Sequence, residues 1–143
     1  MNISKDFSYK EFEASETADR YGITNVITSF EVRDAVKALV LEVLQPLRDA
    51  WRKPMRVNSG YRCPKLNALV SGVPTSQHVK GEAADIGTGD QTESFRLARL
   101  AKTLGLPYDQ MILYPTFVHF SHRLHGAQRR QILYHKSYKG RKI

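Results

Sequence analysis

At 143 residues, 41% apolar and 25% charged, the chain is expected to form one globular domain, residues 1–143, with a core of its own, which excludes the disordered and fibrous classes. A lone cysteine, Cys63, rules out an internal disulfide or a Cys-x-x-Cys zinc site, so any metal must be held by imidazole and carboxylate. The net charge of +8 is placed unevenly: no Asp or Glu follows Asp109, while Arg123, Arg129, Arg130, Lys136, Lys139, Arg141 and Lys142 all do.

Such a basic C-terminal third suits a polyanion, and an anionic cell-envelope polymer is the expected partner. Nucleic acid is not expected, because the cations are not set on a recognisable recognition helix and no common DNA- or RNA-binding motif is present. The N-terminus has no apolar run of signal-peptide length and nowhere do about 18 apolar residues run together, which reads as a chain made in the cytoplasm with no export signal and no transmembrane segment. A monomer is expected.

In chain order, Ser8 followed by Glu11 has the capping-box pattern and predicts a short helix. Thr17 to Thr28 reads as an irregular connection. From Ser29, Val32, Val36, Leu39, Val40, Val43, Leu44 and Leu47 recur at helical spacing and predict an amphipathic helix to about Trp51, which Pro46 should kink or divide. Met55 to Ser59 alternates as a strand, and Pro64 opens a short helix to Val70. After turn chemistry at Ser71 to Thr75 and the stretch Ser76 to Asp85, Asp90 is placed to cap a helix with an apolar stripe from Phe95 to Leu104, stopped by Gly105 and Pro107. Gln110–Tyr114 and Phe117–Ser121 read as an antiparallel hairpin, Arg129–Tyr134 as a last strand, and about 136–143 as a frayed basic tail. These elements predict an α+β fold, an antiparallel sheet with helices packed on one face, and the zinc site on the other face is expected from the residues that follow.

The chemistry concentrates in two stretches, Ser76-Gln77-His78-Val79-Lys80-Gly81-Glu82-Ala83-Ala84-Asp85 and Phe117-Val118-His119-Phe120-Ser121. Side chains alternate across a strand. If Ala84, Ile86, Val118 and Phe120 face a core, Asp85 and His119 share the other face, and His78 can join them from the preceding loop. Two imidazoles and one carboxylate are the ligand set of a catalytic Zn2+ with its fourth position open. Such an ion lowers the pKa of a bound water toward ~7 and polarises a scissile carbonyl. Arg62, in Ser59-Gly60-Tyr61-Arg62, is the cation available for an anionic substrate. Taken singly, each has a plainer reading: a His beside an Asp is usually a hydrogen-bonded pair, and Arg62 could be a surface ion-pair partner. Asp85, in Ala-Ala-Asp-Ile, needs a partner in any reading.

Ser59-Gly60-Tyr61-Arg62, Ser76-x-His78-x-x-Gly81-x-Ala83-x-Asp85 and Val118-His119-Phe120-Ser121, taken together, resemble the M15 family of zinc peptidases over about residues 29–125. This family includes D-alanyl-D-alanine carboxypeptidases and the L-alanyl-D-glutamate endopeptidases used as phage endolysins, and shares its fold with the hedgehog signalling domain. The resemblance implies one Zn2+ held by His78, Asp85 and His119, with Arg62 on the substrate carboxylate or oxyanion and Ser76 hydrogen-bonded to the peptide. The implied substrates are peptidoglycan stem peptides, cleaved as by a D-Ala-D-Ala carboxypeptidase or an L-Ala-D-Glu endopeptidase, with an endolysin acting on the wall once released as one setting. The pattern departs from the family at the general base: Thr116 and Leu113 stand where the family carries an acid. Asp109 and His122 are the candidates to replace it, with Glu82 a further one. The missing acid also motivates an alternative, a non-catalytic zinc-stabilised module that binds peptidoglycan or a protein.

Overall fold

The computed structural model describes all residues, Met1–Ile143. Six helices, α1 (Tyr9–Glu13), α2 (Glu16–Arg20), α3 (Phe30–Leu39), α4 (Gln45–Trp51), α5 (Pro64–Leu69) and α6 (Gln91–Thr103), accompany five strands, β1 (Val57–Ser59), β2 (Ala83–Gly87), β3 (Gln110–Leu113), β4 (Phe117–Ser121) and β5 (Gln131–Tyr134). The strands form a single sheet in the order β1-β2-β4-β3-β5.

The long amphipathic stretch after Ser29 is divided as its proline requires. Pro46 has no N–H to give the carbonyl four residues back, and the turn ahead of it, Val40–Leu44, widens to the π pattern, with the Gln45 N–H bonded to the Val40 carbonyl. The wider turn keeps the apolar stripe aimed at the sheet: Val36, Leu39, Val40, Val43, Leu44 and Leu47 are all fully buried. From α6, Leu97, Ala98 and Ala101 join them, and from the sheet come Ala84, Ile86, Met111, Leu113, Val118 and Phe120. Strand alternation thus sends Ala84 and Ile86 into the core and leaves Asp85, between them, on the opposite face. Truncating a fully buried leucine of this stripe, such as Leu47→Ala, costs about 2–5 kcal/mol.

Several expectations need correction. The sheet is mixed: β1, β2, β4 and β3 pair antiparallel, but β5 runs parallel to β3. Both flanks of β4 are already taken, by β2 and β3, so the chain crosses β3 after β4 and, having reversed, runs along β3's outer edge in β3's own direction. Helices are not confined to one face either, since α2 and α5 flank a cavity on the side of Asp85. Nor is Thr17–Thr28 wholly irregular: the Ser15 side chain accepts from the Ala18 N–H and starts α2.

The stretch at 136–143 is not frayed. Tyr138 is buried in the core, its hydroxyl bonded to the Arg141 carbonyl, and the Ile143 N–H donates to the Tyr134 hydroxyl at 2.7 Å. The Lys139 N–H reaches the Gln91 side chain at the start of α6, which ties the tail to that helix.

Candidate metal centre

The β2–β4 pairing sets Asp85 directly opposite His119, and β1 brings Ser59 beside Asp85 from the other side. His119 Nδ1 lies 2.9 Å from Asp85 Oδ1. The third group, His78, comes from the loop before β2, with Nε2 3.3 Å from the same oxygen. The three ligand atoms all lie within 4.8 Å of one another.

The His78 ring is fixed from behind. Its Nδ1 is 2.7 Å from the Gly60 carbonyl oxygen, which can only accept, so the ring donates there and leaves the Nε2 lone pair aimed at Asp85. Two glycines make this placement possible. A Cβ on Gly60 would stand 2.8 Å from Phe12 Cα, so a larger residue would push away the carbonyl that orients His78. Gly81, at φ +75, turns the chain from His78 into β2, and a Cβ there would meet the Val32 carbonyl of α3 at 2.7 Å.

The donor set fits a zinc ion. In tetrahedral coordination, bonds of about 2.0–2.2 Å place neighbouring ligand atoms roughly 3.3 Å apart. The spacings of 2.9 and 3.3 Å around Asp85 Oδ1 lie just below and at that value. Burial pushes the Asp85 carboxyl up, but the two imidazoles beside it, His119 and His78, outweigh it and hold the acid well below the usual carboxylate range. An ionised acid flanked by imidazole nitrogens is the donor chemistry a divalent cation requires.

Arg62 stands next to this centre. It lines the same groove as His78, Asp85 and His119, and its backbone N–H bonds to the His78 carbonyl at 3.1 Å. Its Nε is buried and has no partner, burial lowers its pKa, and it makes no ion pair close enough to be counted a salt bridge. The loop that carries it is tied down by Asn25, whose side chain donates to the Tyr61 carbonyl at 2.9 Å and accepts from the Cys63 N–H at 2.7 Å. Ser76 also lines the groove; its Oγ accepts from the His78 N–H at 3.2 Å and still has its own proton to give.

The other candidate residues lie elsewhere. Asp109 is fully buried and does not line the groove. Burial raises its pKa, yet hydrogen bonds from the Arg129 side chain and backbone pull it down to about 2. Both its oxygens are engaged, by Arg129 Nη2 at 2.7 Å, the Arg129 N–H at 2.8 Å and Gln77 Nε2 at 3.2 Å, so it is a poor proton acceptor and serves as a tie between β3 and the segment entering β5. His122 follows the core-facing Phe120 by two residues, is buried, is depressed by that burial and also lies outside the groove lining. Glu82 bonds the Leu124 N–H at 2.9 Å and Gln77 at 3.3 Å and holds the segment after β4.

A residue that local motif reading passes over is Tyr114. Gln110, Ile112 and Tyr114 fall on alternate positions at and just beyond β3 and line the groove, while Met111 and Leu113 go to the core. The Tyr114 ring is held between Phe117 and His135, at centroid distances of 4.1 and 4.4 Å, and burial raises its pKa so that it stays a hydroxyl donor.

Comparison with known proteins agrees with this geometry. A 49-residue stretch is 45% identical to a zinc D-Ala-D-Ala carboxypeptidase of Streptomyces albus G, a match covering 34% of this chain and 19% of that protein's length. The sequence model of the family described as Peptidase M15 matches residues 5–121. With most of its length inside that match, and the candidate metal centre too, the chain belongs to the peptidase M15 family, the zinc peptidases that its motifs resemble.

Proposed function

We propose that the protein is a zinc-dependent peptidase acting on the peptide stems of bacterial peptidoglycan. The observation that carries this reading is the meeting of His78, Asp85 and His119 on the floor of a groove beside the unpaired Arg62. When bound, zinc supplies the Lewis acid that polarises the scissile carbonyl and activates water. His78, held by the Gly60 carbonyl, and Asp85, held ionised, fix the ion's position. Arg62 attracts a substrate carboxylate or developing oxyanion, and its burial strengthens that pull relative to a solvated cation. Ser76 and Tyr114 present hydroxyls to the peptide backbone.

The shape of the groove favours an internal bond. The central cavity, about 520 Å³, shares Arg62 and Asp85 with a cavity of about 790 Å³ flanked by α2 and α5. On its other side it shares Thr75, Gln77 and Arg129 with a cavity of about 480 Å³. A peptide can therefore lie across the centre with residues on both sides, which suits an endopeptidase better than an enzyme that removes a terminal residue. An endolysin role, with the protein released onto the wall, is the setting this reading favours.

Mass spectrometry of fragments released from purified peptidoglycan by the zinc-loaded protein tests both points. New internal cleavage products, lost on chelation, are expected; free D-alanine as the sole product would turn the reading to a carboxypeptidase. Apart from Asp85, no carboxylate lines the central cavity, and this observation supports a second reading, a non-catalytic zinc-stabilised binding module. Wall binding without any released product would establish that one.

A further inference from the structure

On the outer side of α6, away from the metal centre, the tail and the helix enclose a cleft of about 610 Å³. Its charged lining consists of Arg96 and Arg99 from α6 and Lys139 and Arg141 from the tail, with no carboxylate. Arg96 is partly neutralised by Glu93 at 2.8 Å, but Arg99, Lys139 and Arg141 have no acidic partner. The cleft continues along the helix: Arg96 and Arg99 also line a second cavity, of about 440 Å³, that includes Lys53 and Trp51. None of these residues lines the groove at the metal centre. The basic C-terminal third is thus divided by the fold, with Arg123 and Arg129 committed to Asp109 and Lys139 and Arg141 added to the exposed arginines of α6.

The aromatic groups in this track are not free for stacking. Phe95 is buried at 7% exposure, with the Arg141 guanidinium 4.8 Å and that of Arg99 5.8 Å from its ring centroid. Over Trp51 lie Lys53 at 4.3 Å and Arg96 at 5.9 Å. Single-stranded nucleic acid binding relies on bases stacked on open aromatic faces. Here the rings hold the cations in place, and what they present outward is charge. Guanidinium groups pair with phosphate and with carboxylate oxygens in a bidentate fork, and a phosphodiester chain offers such oxygens at every repeat.

We infer that the track formed by Arg96, Arg99, Lys139 and Arg141 binds a phosphodiester-linked polyanion of the cell wall and so holds the enzyme on its substrate surface. The charge chemistry stands on the cleft alone; the assignment of the polymer to the wall rests on the proposed peptidoglycan activity. The test is binding of a soluble polyglycerol-phosphate chain to the full-length, zinc-loaded protein, followed by calorimetry across a salt series. This ligand has no peptide bond, so its binding is independent of whether the protein hydrolyses anything.

Arg99→Glu with Arg141→Glu is expected to weaken binding roughly tenfold or more at low salt and to lower the salt slope by about two, about one for each phosphate contact removed. Hydrolysis of a soluble muropeptide should stay unchanged, which also shows that the variant folds; Arg99→Gln with Arg141→Gln is the milder pair, expected to show the same direction. Unchanged polymer affinity in both pairs overturns the site. Equal affinity for polyglutamate overturns the phosphate chemistry, and tighter binding to duplex DNA overturns the wall assignment.

Discussion

Asp85 and Asp109 are both held below the usual carboxylate pKa range by their partners, yet one stands in the candidate metal centre and the other in a structural tie. Their partners make the difference. Asp85 is met by two imidazoles, which can be neutral and have lone pairs to share, and its side chain keeps 18% of its exposure on the groove. Asp109 has no exposure and is met by guanidiniums from Arg129 and Arg123, which stay charged and have no lone pair to offer a metal. A depressed acid alone therefore does not mark a site; an acid held by groups that can change partners does.

The comparison breaks most visibly at Asp85. Asp85→Ala is expected to abolish zinc retention in the purified protein, measured by metal analysis, and to lower muropeptide hydrolysis roughly 10³-fold or more, a loss of several kcal/mol of transition-state stabilisation. His119→Ala should do the same, while the urea midpoint of the metal-free protein moves little. Retained zinc with either variant would mean that the ion sits elsewhere.

Asp109→Ala should show the reverse pattern. Breaking a buried pair costs about 3–5 kcal/mol, but Arg129 and Arg123 are more than a third exposed and can rehydrate, so about 2–3 kcal/mol is expected in urea unfolding. Zinc binding should persist below the lowered melting temperature. A stable, zinc-loaded Asp109→Ala protein without hydrolysis would instead move Asp109 into the catalytic machinery.

How much of this was legible in the sequence depends on the range of the forces involved. Period-two alternation alone puts Asp85 and His119 on the face opposite Ala84, Ile86, Val118 and Phe120, and Pro46 announces the division of its helix. The same alternation, carried one position past Leu113, reaches Tyr114. The parallel β5 was hidden because strand order depends on which edge is vacant, a property of the assembled sheet. The role of Asp109 was hidden because its partner Arg129 lies 20 residues on and meets it only when that segment crosses β3. At the end of the chain a dense run of cations masks Tyr138, whose burial against the core is what anchors the tail.

The smallest effect sharpens the comparison through pH. Asp109 titrates near its ordinary 3.8 in the unfolded chain and at about 2 in the folded one. The unfolded state therefore takes up a proton first as the pH falls, and the stability from the Arg129 pairing, complete above about pH 4, is lost as the pH passes down through about 2. At about 1.4 kcal/mol per pH unit of difference the full shift is worth about 2 kcal/mol, and the partly exposed arginines bring the expected loss closer to about 1 kcal/mol. Urea midpoints of the metal-free protein should fall across this window, and Asp109→Asn should flatten the fall. Asp85 is also depressed, and Asp85→Asn measures its share in the same window; a slope that survives Asp109→Asn but vanishes in Asp85→Asn would make the metal-centre acid, rather than the structural tie, the main source of acid sensitivity.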